Sequence, residues 1–414
     1  MGSKSAEKPH ALCIPYPAQG HINPMMHLAK LLLARGFYIT FVNTEFNHER
    51  VTSSAGAIEL KHLEDFNLES ITDGLPPDDC RTQESLFDAT TKYFLSPFKD
   101  LVSKLNGSME VPRVPCIISD GLRNFTQQVV EENGIPRISL WTTSTCGYWG
   151  FLQYPEIIER GILPFKVVDW IPGMPNISLR DLPSFIRTTI LSDIVQQFCK
   201  VKCRDALKAS ALILNTFEDL EKPVLDAMRE RISCPFYTIG PVVSFSQSES
   251  NVHLNSVSRS LWKEEDACIE WLNDKEPKSV LYVNCGRLAI LTPNQNNEFA
   301  WVLANSQRPF IWVIRDDLHV CNELGIGMEI NNDVKREDVE ELLRELMGGE
   351  KGKEMQLKAK KWMESSKTAL QFGAYFRART QCGSGVAAPA ATMEETSCEL
   401  WVLCLLYKYR EKMK

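Results

Sequence analysis

The feature that most constrains the fold is one stretch near the start of the chain. A short apolar run, 11–14, is followed by a Pro/Gly-rich segment, then by apolar positions at helical spacing over 25–34, and then by a second apolar run, 37–42. Strand, loop, helix and strand in this order form a βαβ unit, which requires a parallel sheet. Asn23 followed by Pro24 predicts the start of the helix. The stretch therefore predicts an α/β protein.

Polar side chains follow three of the predicted strands. His21 comes after the first strand, in the loop at its carboxyl end, Asp120 ends a later apolar run, and Thr142 and Ser144 follow the next one. The carboxyl ends of parallel strands meet at one edge of the sheet, where open α/β sheets bind their ligands. An imidazole and a carboxylate at that edge can act as a base and the acid that orients it. Two alternatives remain: His21 as a structural or solvent-exposed histidine, and Asp120 as a helix N-cap.

Composition limits the class of protein. A chain of 414 residues with 44% hydrophobic and 24% charged residues is typical of a soluble globular protein with two α/β domains. A net charge of −7 argues against a nucleic-acid partner. The 13 cysteines are scattered, and Cys199 and Cys203 lie four apart beside no histidine, so we expect no metal site and reduced thiols in the cytoplasm. We expect no targeting or transmembrane segment.

The polar segment 242–260 predicts a linker between an N-terminal domain, 1–241, and a C-terminal domain, 261–366. The C-terminal domain contains a second predicted βαβ unit, with strand 279–285, helix 292–305 and strand 309–314. An aromatic-rich segment that begins at Tyr148 is either helical core or the wall of an apolar ligand pocket.

Several motifs resemble those of plant family-1 UDP-glycosyltransferases, in particular the subgroup that glucosylates small lipophilic alcohols such as terpenoids and cyanohydrins. The resemblance covers about residues 8–361. The motifs are PAQGHINP at 17–24, SDG at 119–121, WTTS at 141–144, NTFEDLE at 215–221, CIEWL at 268–272, SVLYVN at 279–284, PFIWVIR at 309–315 and GIGMEIN at 325–331.

This resemblance implies a GT-B fold, in which two Rossmann-like domains face each other across a cleft, with the acceptor mostly on the first domain and the UDP-sugar mostly on the second. It implies transfer of glucose from UDP-glucose to an acceptor hydroxyl with inversion, by a monomer, without a cofactor or metal. His21 matches the catalytic base and Asp120 its orienting partner. The residues expected to bind the acceptor are Gly20, Trp141, Thr142, Ser144 and Tyr148.

The family's donor-binding signature is missing from this sequence. No Trp-Cys-Pro-Gln or His-Cys-Gly-Trp-Asn-Ser element follows Arg315, and the sequence resumes its resemblance after a junction at Val320/Cys321. The C-terminal domain is therefore expected to be truncated. Gly286 and Arg287 are the remaining donor-site candidates, but Arg287 replaces a phosphate-contacting serine and is more simply a turn residue. The signature supplies helix N-terminal N–H groups to the diphosphate, so its loss predicts impaired activity.

Two classes of function follow from this reading. The chain is either a UDP-glycosyltransferase with impaired activity, or a non-catalytic protein, meaning an acceptor-binding pseudoenzyme or the product of a defective gene model. Residues 367–414 do not resemble the family, are expected to be irregular, and are consistent with a frameshift or a mis-joined exon. A dehydrogenase is disfavoured because no Gly-x-Gly-x-x-Gly follows either first strand.

Overall fold

The computed structural model describes two compact units of the chain, one up to residue 243 and one between residues 266 and 364. The described residues are 8–53, 63, 65–77, 79, 81–160, 167–168, 170–175, 177–178, 201–243, 266–276, 279–285, 301–303, 308–316, 349–351, 353–355, 357–358, 360–361 and 364. The domain limits proposed above remain a prediction, and most of the predicted linker and the whole of 367–414 lie outside the described residues.

The first unit is built on a parallel sheet of seven strands in the order β3-β2-β1-β4-β5-β8-β9, which confirms the predicted α/β class. A short antiparallel pair, β6 and β7, lies apart from it. The strands are β1 (His10–Ile14), β2 (Tyr38–Thr44), β3 (Phe66–Ile71), β4 (Ile117–Asp120), β5 (Arg137–Trp141), β6 (Val167–Val168), β7 (Ile177–Ser178), β8 (Ala211–Leu214) and β9 (Phe236–Thr238).

Helices cover both faces of this sheet. They are α1 (Gln19–Ala34), α2 (Glu45–Ser53), α3 (Gln83–Lys92), α4 (Leu95–Gly107), α5 (Thr126–Asn133), α6 (Thr145–Glu159) and α7 (Glu218–Arg231). Alternate residues of β1 pack against different layers: Cys13 joins the cluster formed by α1, whereas Leu12 and Ile14 join the cluster formed by α4 and α5. Burial on both faces explains why β1 is a continuous apolar run.

The start of α1 differs from the prediction. The helix begins at Gln19, not at Asn23–Pro24, because the backbone N–H groups of His21 and Ile22 both donate to the carbonyl of Ala18, each over 2.9 Å. Pro24 lies inside the helix, where its missing N–H removes one bond. His21 therefore sits in the first helical turn after β1, and the prediction that it lies on a loop is wrong.

Other elements follow the sequence closely. The sequence pattern over 83–105 predicts a helix with an interruption at Pro97. The structure has two helices there, α3 and α4, but they are separated at Tyr93–Phe94, and Pro97 lies in the first turn of α4. Gly134 ends α5 in the left-handed conformation, with φ of 63°, as its position after an amphipathic run predicts. Strand β3, at one edge of the sheet, was not predicted.

The second unit has a parallel pair of strands, β10 (Leu281–Cys285) and β11 (Phe310–Asp316), with Leu281 opposite Phe310. Helix α8 (Asp266–Asn273) precedes them, and residues 301–303 between them are helical. The sequence pattern further predicts a strand at 327–330 and an amphipathic helix at 334–347, and both segments lie outside the described residues.

Candidate active site

His21 and Asp120 are brought together by neighbouring strands. Strands β1 and β4 pair in parallel with Ile14 opposite Ser119, so the first turn of α1 lies beside the end of β4. The Nδ1 atom of His21 is 2.8 Å from Oδ2 of Asp120. The Asp120 side chain is 2% exposed and that of His21 is 20% exposed. The pair thus has a buried acid and an imidazole that reaches the surface.

The second carboxylate oxygen of Asp120 is used locally. Its Oδ1 accepts a hydrogen bond of 2.9 Å from the backbone N–H of Leu122. Helix α5 begins only at Thr126, and no side chain caps it. Asp120 is therefore not the N-cap of this helix. Its two oxygens tie the turn after β4 to the imidazole of His21.

Thr142 also contacts the histidine. Its Oγ1 is 2.9 Å from Nδ1 of His21, the same nitrogen that contacts Asp120. Thr142 follows β5, which pairs in parallel with β4. The ends of β4 and β5 therefore both contact one nitrogen of the imidazole that follows β1.

This arrangement determines which nitrogen of His21 can act as a base. A carboxylate only accepts hydrogen bonds, so Nδ1 carries the hydrogen and Nε2 has a free lone pair. None of the described residues forms a hydrogen bond with Nε2. A partly exposed imidazole of this tautomer can remove a proton from a hydroxyl, and the carboxylate then stabilises the imidazolium.

Tyr16 packs against His21, and Arg123 holds the segment that precedes it. Neither residue was identified from the sequence. The rings of Tyr16 and His21 pack with centroids 5.1 Å apart. The fully buried Arg123 donates to the carbonyl of Pro15 over 3.0 Å, and its guanidinium lies 4.0 Å from the centroid of the Phe94 ring. Burial lowers the pKa of Arg123 to about 10, so it remains charged at neutral pH. A buried cation of this kind fixes the segment between β1 and α1.

Glu221 is a second residue that sequence reasoning missed. Its carboxylate accepts hydrogen bonds from the backbone N–H groups of Thr145, over 3.0 Å, and Cys146, over 2.8 Å. These groups are at the start of α6, where helical N–H groups have no partner within the helix. Glu221 itself breaks the regular geometry of α7, with φ of −129°. It anchors the segment that follows Thr142.

The remaining predicted acceptor residues divide into surface and core. Gly20 and Ser144 are exposed near His21 and Thr142, and Oγ of Ser144 accepts from the N–H of Gly147 over 3.0 Å. Trp141 and Tyr148 are buried, with ring centroids 4.2 Å apart.

Tyr148 has no exposed surface, and its hydroxyl donates to the carbonyl of Cys203 over 3.0 Å. Burial raises the pKa of this hydroxyl. In this arrangement Tyr148 offers no atom to a ligand, so the structure places it in the core behind the site and not at the acceptor surface.

The predicted donor-site residues Gly286 and Arg287 lie outside the described residues. Within the described ranges, no group of three or more His, Cys, Asp or Glu side chains is placed to hold a metal ion. Nor does any described helix have the length and apolar character needed to span a membrane.

Comparison with known proteins identifies the family. Residues 10–136 match the family described as "Glycosyltransferase, N-terminal domain". The chain is 41% identical to the 7-deoxyloganetin glucosyltransferase of Catharanthus roseus, over 87% of this chain and 93% of that protein. The chain belongs to the plant family-1 UDP-glycosyltransferases.

A further relative supports the family of this UDP-glycosyltransferase, and a solved structure supports its fold. Linamarin synthase 1 of Manihot esculenta is 47% identical over 81% of this chain and 73% of that protein. The solved structure of a UDP-glucosyltransferase from Polygonum tinctorium capable of glucosylating indoxyl superposes with a TM-score of 0.70, at 19% identity, over 89% of this chain and 96% of that one. The fold is α/β, of the GT-B class, as the motifs imply.

The alignment with the Catharanthus roseus relative spans 456 positions, whereas this chain has 414 residues. The relative therefore contains residues that have no counterpart in this UDP-glycosyltransferase.

Proposed function

We propose that this protein transfers glucose from UDP-glucose to a hydroxyl of a small lipophilic plant metabolite, with inversion at the anomeric carbon. The observation that carries the proposal is the contact between His21 and Asp120 at the sheet edge, over 2.8 Å, in a member of this family. The names of the relatives, which include a 7-deoxyloganetin glucosyltransferase, support the transfer of glucose to a small metabolite.

The reaction uses the chain's own residues as follows. Nε2 of His21 takes the proton of the acceptor hydroxyl while the oxygen attacks the anomeric carbon and the bond from this carbon to UDP breaks. Asp120, which accepts from Nδ1–H, stabilises the imidazolium that forms. The proton passes from His21 to solvent after UDP and the glucoside leave. A single displacement inverts the anomeric carbon, so the α-linked sugar of UDP-glucose gives a β-glucoside.

We assign the acceptor to the first unit of the chain. Gly20 directly precedes His21, and Ser144 lies two residues after Thr142. Both are exposed and are the proposed contacts to the acceptor. Trp141 and Tyr148 are buried in the core, and we propose no direct contact between them and the acceptor. We also propose that residues 1–241 form the acceptor domain and 261–366 the donor domain.

We further propose that binding of UDP-glucose is weaker than in the relatives. The sequence has no His-Cys-Gly-Trp element, and we place the loss of an internal segment at Val320/Cys321. The alignment with the Catharanthus roseus relative, which has more positions than this chain has residues, supports the loss of a segment. Backbone N–H groups at a helix N-terminus are a strong source of diphosphate binding, so their loss lowers the rate. Gly286 and Arg287 are the remaining proposed donor contacts.

We propose that the protein acts as a monomer in the cytoplasm. The support for this compartment is that six cysteines are free thiols, namely Cys13, Cys116, Cys146, Cys203, Cys234 and Cys268.

The test is product formation by the purified full chain. UDP-glucose is incubated with a panel of hydroxylated terpenoids and cyanohydrins, glucoside and UDP are quantified by liquid chromatography and mass spectrometry, and the anomer is assigned by proton NMR. We expect a β-glucoside and UDP in equal amounts, formed more slowly than by the Catharanthus roseus relative under the same conditions. Saturable acceptor binding without any product would refute the proposal and establish the non-catalytic alternative.

A further inference from the structure

Two oxygen atoms from different strand ends contact one nitrogen of His21. Asp120 Oδ2 lies 2.8 Å from Nδ1, and Thr142 Oγ1 lies 2.9 Å from the same atom. A neutral imidazole carries one hydrogen, and here it is on Nδ1 because the carboxylate only accepts. The hydroxyl oxygen of Thr142 is therefore a second acceptor, and Nδ1–H is shared between the two residues in a three-centre hydrogen bond.

We propose that Thr142 is a positioning residue that, with Asp120, fixes the orientation of the His21 ring. A single hydrogen bond leaves the ring free to rotate about it. Two hydrogen-bond acceptors, at the ends of separate strands, define the plane in which Nδ1–H lies. Nε2, across the ring from Nδ1, is then aimed in one direction. This inference rests on the proposed function in so far as that direction is toward the acceptor hydroxyl.

The backbone is hydrogen-bonded both before and after Thr142, so the position of its hydroxyl is well defined. The carbonyl of Trp141, before it, accepts from the N–H of Asn215 on the neighbouring strand's extension over 3.4 Å. The N–H groups of Thr145 and Cys146, after it, are held by the buried Glu221. The threonine thus connects a sheet strand to an anchored helix start.

The competing role for Thr142 is direct contact with the acceptor, as the sequence motif implies. The two roles predict different kinetics. A contact that forms equally in the ground state and the transition state changes KM, whereas a change in the orientation of the base changes kcat.

The first experiment measures the protonation and hydrogen bonding of the His21 ring directly and does not require UDP-glucose. The full chain is labelled with 15N-histidine, and the ring nitrogens of His21 are observed by NMR in wild type, Thr142→Val, Thr142→Ser and Thr143→Val. Valine removes the hydroxyl at nearly constant shape, serine keeps it, and Thr143, which is exposed, is the matched control. We expect wild type, Thr142→Ser and Thr143→Val to share one Nδ1–H spectrum and Thr142→Val to differ, with a shifted Nδ1 proton or a second tautomer. An unchanged spectrum in Thr142→Val would overturn the proposal.

The second experiment measures turnover in the same four proteins. We expect Thr142→Val to lower kcat by about tenfold, the usual effect of losing one hydrogen bond, with acceptor KM within about twofold, and Thr142→Ser to restore most of it. A raised KM at unchanged kcat would assign Thr142 to acceptor contact instead. If wild type forms no product but the NMR spectra differ as expected, the positioning role of Thr142 is supported while the proposed function fails.

Discussion

His10, at the start of β1, makes the folded state sensitive to acid. Its imidazole is 1% exposed, with Nδ1 2.6 Å from the carbonyl of Pro112 and Nε2 2.8 Å from the hydroxyl of Thr40. Nδ1–H donates to the carbonyl and Nε2 accepts from the hydroxyl, so the neutral ring satisfies both groups. Burial lowers the pKa of His10 to about 4.

The stability of the protein is therefore expected to fall as pH decreases between about 6.5 and 4. In the unfolded chain His10 binds a proton near pH 6.5, whereas in the folded chain it does so only near the lower pKa. Above pH 6.5 the titration of His10 leaves the free energy of unfolding unchanged, and at pH 5 it lowers this free energy by about 2 kcal/mol. Urea unfolding at pH 7 and pH 5 measures it, with His10→Gln as the control, because glutamine offers a donor and an acceptor but does not titrate. The same loss of stability in both proteins would contradict the assignment.

Gly121, after β4, is required by close packing. A Cβ atom at this position would meet the six-membered ring of Trp141. Because the ring is buried, Gly121→Ala is expected to destabilise the fold by about 1–3 kcal/mol. Thermal or urea unfolding tests this, with Gly107→Ala as the matched control, since a Cβ there meets no atom within 4 Å. Equal stability of the two variants would show that Trp141 moves aside without cost.

At the scale of elements, the start of α6 depends on Glu221. A buried carboxylate that accepts two helix N-terminal N–H groups is stabilised by charge-assisted hydrogen bonds and by the helix dipole. Glu221→Ala leaves both N–H groups without this acceptor and is expected to cost about 2–3 kcal/mol, whereas Glu221→Gln, which keeps one acceptor oxygen, costs less. Hydrogen exchange at Thr145 and Cys146, together with urea unfolding, measures the effect. Unchanged exchange in Glu221→Ala would contradict the capping role.

The sequence predicts the strands of the sheet interior better than its edge. Strands such as β1 are apolar on both faces because helices cover both sides of the sheet. A continuous apolar run of this kind is easily recognised in the sequence. Strand β3 was missed because only Phe66 and Ile71, its first and last residues, are fully buried. The start of α1 was misplaced because Pro24 usually marks a first turn, whereas here backbone bonds to Ala18 begin the helix earlier.

Sequence reasoning also brings His21, Asp120 and Thr142 to one edge, since each follows a parallel strand. The sequence does not predict which atoms of these three side chains are in contact. The contact of Thr142 with Nδ1 depends on the register of β4 against β5, which places Asp120 opposite Leu140. The supporting roles of Arg123 and Glu221 come from residues distant in sequence, and no local pattern reports them.

At the scale of the whole molecule, the residues proposed for acceptor chemistry are present, whereas those expected to bind the donor are largely missing. The donor signature is absent from the sequence, so UDP is expected to bind at least about tenfold more weakly than to the Catharanthus roseus relative. Titration calorimetry of UDP against both proteins, with a melting curve to show that each is folded, measures the difference. Equal dissociation constants would mean that other residues of this chain replace the signature.

The central claim is that His21 is the base of a glucosyl transfer, and the most direct measurement is the rate of glucoside formation at saturating UDP-glucose in wild type and His21→Ala. We predict a loss of at least about 10²-fold in kcat with an unchanged melting temperature, because general base catalysis contributes at least this much. A His21→Ala protein that forms the β-glucoside at the wild-type rate would contradict the account.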